Sequence, residues 1–256
     1  MSKRPVVLVV MDGVGISDSE FGNAVKKAYK PTLDNLWENS PHTEIKAHGL
    51  AVGLPTDDDM GNSEVGHNAL GCGQIYSQGA KLVNENIETG EIFKTETWSG
   101  LVNNCKDGKM HFLGLLSDGN VHSHINHLKA LIKKAKEDGV KEVRVHALLD
   151  GRDVPETSAL TYVDDIEAYM AELNDDSFHA CIASGGGRMT ITMDRYEANW
   201  AMVEQGWHVH VLGEGREFAS AKEAIETYRA ESGVVDQDLP GFVIAKDGKP
   251  VGTIED

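Results

Sequence analysis

From residue 110 onward the chain alternates short β-branched and apolar runs with longer amphipathic ones, the order of a parallel sheet with crossover helices. The pattern predicts strands over 110–116, 142–149 and 178–183, separated by helices over 124–137 and 157–173. Helices over 197–205 and 222–230 and a last strand over 241–245 follow. Three strands end in loops dense with polar residues: SDGNVHSHINH, DGRDVPETS and SGGGRMTITMDR. Ligands of open α/β sheets bind at the carboxyl ends of the strands, so the three loops are expected on one rim.

Upstream, the continuous apolar run over 5–11 predicts a central parallel strand covered on both faces, with Asp12 just past its end. Pro31 opens a predicted helix over 31–39, and 43–48 reads as a short alternating strand. A loop rich in Gly, Pro and Asp then leads to Ser63, the expected N-cap of the helix that begins SEVGHNALGCG. The pattern relaxes around 75–81, so the expected division is 1–76 and 77–256.

Length and charge narrow the function. A chain of 256 residues holds one large α/β domain or two smaller ones. With 40% hydrophobic and 25% charged residues and a mean hydropathy of -0.33, the composition is that of a soluble globular protein. The 24 basic residues face 41 acidic ones, and a net charge of -17 repels nucleic acid and anionic lipid. Neither nucleic acid nor membrane is therefore an expected partner. The first apolar run falls far short of the roughly 20 residues of a membrane span. Cys72, Cys105 and Cys181 form no CxxC pair, which fits a reducing cytoplasm.

Several residues could carry chemistry. Asp12, past a strand, suits a divalent metal or a plain turn. Ser63 lies between Gly61 and Gly66 at a helix start, where amides and the dipole favour an oxyanion. Its hydroxyl needs a base or a metal to become a nucleophile, and the simpler reading is a cap. His67, one turn on, either contacts the same site or is structural. His122, His124 and His127 lack an HExxH arrangement, so one imidazole binding an anion is favoured over a metal centre. Arg152 beside Asp153 offers an oxyanion fork with a proton acceptor, or an internal ion pair. Glycines 185–187 before Arg188 resemble a phosphate cradle, and Arg195 adds a second cation. Residues 57–59 read as a solvated acidic loop.

Five ordered blocks make a specific pattern: VVLVVMDGVG, MGNSEVGHNALGCG, LLSDGNVHSHINHL, LLDGRDVPETSA and GGGRMTITMDRYEANW. Together they resemble the 2,3-bisphosphoglycerate-independent phosphoglycerate mutases, in wording nearest the plant and trypanosomatid branch. The bacterial pattern sets its two arginines one residue closer than Arg188 and Arg195 stand here.

The resemblance implies an α/β enzyme of the alkaline phosphatase superfamily. A parallel-sheet phosphotransferase domain, 77–256, would be inserted into a phosphatase-like metal-binding domain, of which 1–76 is the N-terminal part. Ser63 would form a phosphoserine during interconversion of 3-phosphoglycerate and 2-phosphoglycerate, a step of glycolysis and gluconeogenesis. Asp12 and Ser63 would be ligands of one ion of a binuclear Mn2+ site that Mg2+ or Co2+ could also fill, and no 2,3-bisphosphoglycerate is required. His122, Arg152, Asp153, Arg188 and Arg195 match substrate-binding positions, with Asp153 also assisting proton movement. A cytoplasmic monomer is implied for the complete enzyme. Family members are roughly twice this length, and this chain stops at GTIED, before the remaining metal ligands. Two other readings stay open: a phosphomonoester hydrolase of the same superfamily, or a non-catalytic fragment that binds phosphoglycerate.

Overall fold

A computed structural model of the chain describes residues 5–11, 14–77 and 79–254. Contacts divide the chain into two compact units, Met1–Ile45 and Lys46–Asp256. The first contains α1, Ala24–Lys27, and α2, Pro31–Asn39, whose bounds coincide with the predicted helix. None of its described residues is buried. The strands expected over 5–11 and 43–48 do not form: Val6 is 95% and Val7 79% exposed, and no described residue pairs with either segment. A strand is held by a neighbour's ladder and by burial of its faces, and neither segment has them. Asp12 lies outside the described residues.

The second unit holds three leading helices, α3 (Ser63–Cys72), α4 (Gly79–Glu88) and α5 (Glu96–Asn104). Alternation follows: β1 (Lys109–Leu115), α6 (Ile125–Glu137), β2 (Glu142–Leu149), α7 (Ala159–Leu173), β3 (His179–Gly187) and α8 (Trp200–Trp207). The last elements are β4 (Arg216–Phe218), α9 (Ala221–Ser232), β5 (Phe242–Lys246) and β6 (Lys249–Pro250). The strand order is β1-β2-β3-β5-β4, with β6 paired to β5. The fold is thus α/β with a mostly parallel sheet.

β1, β2 and β3 are parallel neighbours, and every residue of β2 after Glu142 is buried, as a strand covered on both faces requires. Val143, Val145, Ala147 and Leu149 join the main core with Ile132 of α6, Val163 and Ile166 of α7 and Ile225 of α9. Leu148 belongs to a smaller cluster with Leu115, Ile191, Val209 and Val243. The expected parallel order fails at β5, which runs antiparallel to β3 and also to the short β6. β4 and β5 are parallel to each other with α9 between them, so this β-α-β unit docks onto β3 head to tail.

The glycines at 185–187 belong to that junction and not to a phosphate cradle. A Cβ on Gly185 would lie 2.5 Å from the Phe242 ring, and one on Gly187 would lie 2.2 Å from the Gln237 carbonyl oxygen. Their small size lets two stretches of backbone pack directly. Gly187→Ala is therefore expected to destabilise the chain by about 1–3 kcal/mol, read as a lower denaturant midpoint with an unchanged slope. Among the described residues no helix is long and apolar enough to cross a membrane.

Candidate active site

α3 is placed by its N-terminal approach. The Asn62 side chain accepts the Val65 N–H at 3.0 Å, so Asn62 is the N-cap and Ser63 the first helical residue, one position off the expected cap. The Ser63 hydroxyl is thereby spared a capping role. Val65 packs on Val52 and Leu54, pinning the helix to the preceding turn. Gly61 passes so close to Ala47 that a Cβ there would sit 2.1 Å from its carbonyl oxygen.

His67 does meet Ser63, with Nδ1 3.2 Å from Oγ and 2.7 Å from the Ser63 carbonyl oxygen. A carbonyl can only accept, so Nδ1 carries a proton and donates. In this arrangement His67 orients the hydroxyl and does not take its proton.

The three strand-end loops meet as their placement predicted. A cleft of about 1630 Å³ is lined by Ser63 and by His122, Arg152, Asp153, Arg188 and Arg195. It is larger than the ~300–1,000 Å³ of an ordinary ligand pocket, and thus an open groove.

After β1, the Ser123 hydroxyl donates to the Leu115 carbonyl at 2.6 Å and His124 caps α6 by accepting the Asn126 N–H. His127 bonds Asn84, and burial together with His124 lowers its pKa. Of the three histidines, His122 is left exposed on the cleft, its Nε2 3.9 Å from Asp153. Asn120, at φ 57, donates to Asp59 at 2.6 Å and ties this loop to the one before α3. Asp59 is thus no free solvated carboxylate: burial raises its pKa, but hydrogen bonds from Asn120 and Thr56 outweigh that and leave it lowered.

The loop after β2 is organised by a residue that motif reading passed over. Asp150, 3% exposed, accepts the N–H groups of Gly151, Arg152 and Asp153 at 2.9, 3.1 and 3.1 Å. It also accepts the Ser117 hydroxyl at 2.7 Å and Arg188 Nη1 at 3.0 Å. Burial pushes its pKa up, but the hydroxyl and amide donors more than offset this and hold it below the usual range. Asp153 pairs with Arg188 at 2.6 Å, so the ion pair joins two loops and does not link Arg152 to its neighbour. Among the described residues the Arg152 side chain has no ion-pair partner and is exposed.

Charge in the cleft is mixed. Asp118 is engaged by Tyr162, whose pKa burial and Asp118 push up to about 12, and Asp194 accepts the N–H groups of Ala198 and Asn199. Asp58, Glu64 and Glu88 also line it. Against these stand three arginines, two of them exposed. No three His, Cys, Asp or Glu side chains form a metal-binding group among the described residues.

A family of known proteins fits this chain. Residues 83–256 match the family described as BPG-independent PGAM N-terminus. The chain belongs to that family. It is 57% identical to the probable 2,3-bisphosphoglycerate-independent phosphoglycerate mutase of Leptospira interrogans serovar Lai, over 99% of this chain and 47% of that protein. It is 51% identical to the 2,3-bisphosphoglycerate-independent phosphoglycerate mutase of Trypanosoma brucei brucei, over 100% of this chain and 47% of that one. A solved structure described as Leishmania mexicana phosphoglycerate mutase at low cobalt concentration superposes with a TM-score of 0.89 at 50% identity, over 96% of this chain and 46% of its own. The chain spans about half the length of the curated relatives it matches. Within the BPG-independent PGAM N-terminus match lie all three strand-end loops, while Ser63 and α3 precede it.

Proposed function

We propose that the protein to which this chain belongs interconverts 3-phosphoglycerate and 2-phosphoglycerate through a phosphoserine on Ser63, without 2,3-bisphosphoglycerate. The observation that carries this reading is the convergence of Ser63 with His122, Arg152, Asp153, Arg188 and Arg195 on one cleft. The Ser63 hydroxyl gives up its proton and its oxygen attacks phosphorus, while the bond from phosphorus to the O3 of glycerate breaks and that oxygen takes up a proton. The glycerate then turns, and its O2 gives up a proton and attacks the phosphoserine, which restores Ser63.

The α3 amides favour the phosphoryl oxygens, and His67 sets the direction of the hydroxyl. Arg152, Arg195 and His122 hold the dephosphorylated glycerate, and Asp153 handles its hydroxyl protons. Arg188 is braced by Asp150 and Asp153, so it meets the anion already oriented. A divalent ion, Mn2+ or one such as the cobalt named in the description of the Leishmania mexicana structure, belongs to this reading. When bound, it would supply a lowered hydroxyl pKa. Asp12 and Ser63 would contribute ligands, the rest coming from outside the described residues. Residues 1–76 would belong to the metal-binding domain and 77–256 to the phosphotransferase domain of a cytoplasmic, monomeric glycolytic enzyme.

The full-length protein given 3-phosphoglycerate and manganese is expected to form 2-phosphoglycerate with no added bisphosphoglycerate, and Ser63→Ala to end that turnover. Undiminished turnover in Ser63→Ala would overturn the proposal. So would release of free phosphate as fast as substrate disappears, the outcome for a hydrolase.

A further inference from the structure

Behind the loop that carries Arg188 and Arg195, side chains from three strands and a helical turn join in one hydrogen-bonded chain. His111 Nδ1 of β1 lies 2.8 Å from His146 Nε2 of β2, whose Nδ1 lies 2.6 Å from the Ser184 hydroxyl of β3. Ser184 Oγ is 2.7 Å from His210 Nδ1, and His210 Nε2 is 3.0 Å from the Thr192 hydroxyl. His146, Ser184 and His210 are 0%, 1% and 2% exposed. Burial pushes both imidazoles down, His146 to about 3 with help from His210, His111 and Arg144, which would repel its proton, and His210 to about 4, so both are neutral near pH 7. A neutral imidazole has one N–H and one lone pair, and a hydroxyl has one proton, so the direction of each bond fixes the next.

The chain ends on an unusual residue. Thr192 has φ 72, a left-handed conformation that a β-branched residue avoids. Such strain persists only where surrounding groups over-determine it. Here the Thr192 N–H donates to the Met202 carbonyl at 3.0 Å, and Gly206 leaves room, since a Cβ there would lie 2.3 Å from the Thr192 hydroxyl. His210 sits in a π-helical turn, His208–Leu212, a rare geometry that follows α8 directly. On one side of Thr192, Ile191 is anchored in the core. On the other, Met193, Asp194 and Arg195 line the cleft.

We propose that His210, backed by Ser184 and His146, is a positioning residue whose bond to Thr192 holds the strained turn that places Arg195 on the cleft. Without the bond the turn relaxes, and the binding-competent loop becomes a minor population. The ligand part of this inference rests on the proposed function; the loop part does not.

The test uses the 256-residue chain, with calorimetry of 3-phosphoglycerate and the NMR shift of a labelled Met193 methyl as a ligand-free reading of the loop. Thr192→Val keeps the shape and removes the hydroxyl; it is expected to move the Met193 resonance and weaken binding about tenfold. His210→Leu should do the same, while His210→Gln, with a polar group near the Nε2 position, should restore most of both. Glycine holds φ 72 without strain. In a Thr192→Gly background His210→Leu should therefore cost less than about twofold more. An unmoved Met193 resonance in Thr192→Val, or an equal His210→Leu penalty in both backgrounds, overturns the inference. Should His210→Leu fail to fold, Thr192→Val decides alone. If the native chain does not bind 3-phosphoglycerate but Met193 responds as described, the loop inference stands and its ligand part falls, while the proposed function is decided by turnover of the full-length protein.

Discussion

Asp150→Ala is expected to destabilise the chain by about 3–5 kcal/mol, a large part of the ~5–15 kcal/mol that holds a typical domain together. The carboxylate receives five donors from three sources: the backbone of its own loop, Ser117 of the neighbouring loop and Arg188. Truncation strands the Ser117 hydroxyl and removes one of the two carboxylates on the Arg188 side chain, which is 7% exposed. A buried charge that loses its partner costs far more than the intact pair contributes, because its desolvation is no longer offset. Asp150→Asn keeps the shape and one acceptor, so about 1–3 kcal/mol is expected for it. Urea unfolding of the two variants checks the order, and equal midpoints for Asp150→Ala and the native chain would contradict this account.

Asp150 also shows where reading the residues in order runs out. The DGRD segment draws the eye to Arg152 and Asp153, whose side chains look ready for chemistry, yet the first Asp arranges both. Its two side-chain partners, Ser117 and Arg188, lie 33 and 38 residues away, so the residues around it do not mark its part in joining the loops. The Asn120–Asp59 bond, across 61 residues, is hidden for the same reason. What depends on period was legible: β2 occupies the predicted 142–149, and the polar loops share a rim because parallel strands put their carboxyl ends together. What depends on tertiary approach was not. Three glycines before an arginine look like an anion cradle, but here they admit Phe242 and the backbone at Gln237. The apolar run over 5–11 has strand composition and no ladder. The antiparallel seam between β3 and β5 is likewise a matter of docking, invisible to periodicity.

Acidification from pH 7 to 5 should weaken the chain well before its carboxylates titrate. His146 and His210 are held neutral in the fold, with pKa values lowered to about 3 and about 4, whereas in the unfolded chain each titrates near ~6.5. Between those limits the unfolded state binds protons that the native state refuses, so unfolding is favoured as pH falls and stability rises with pH. The slope approaches about 1.4 kcal/mol per pH unit for each histidine once pH is below the unfolded value. His127, lowered by burial and by His124, adds in the same direction. The groups around His146 reinforce the refusal: Arg144 is already charged, and His111 and His210 would repel a second proton. Asp150 acts in a different window, because its lowered pKa keeps its contribution intact until the pH drops below about 4. Thermal melts from pH 7 to 5 should therefore fall steeply for the native chain and less steeply for His146→Gln/His210→Gln, which has no buried imidazole to protonate. Parallel pH profiles for the two proteins would mean that the acid sensitivity arises elsewhere.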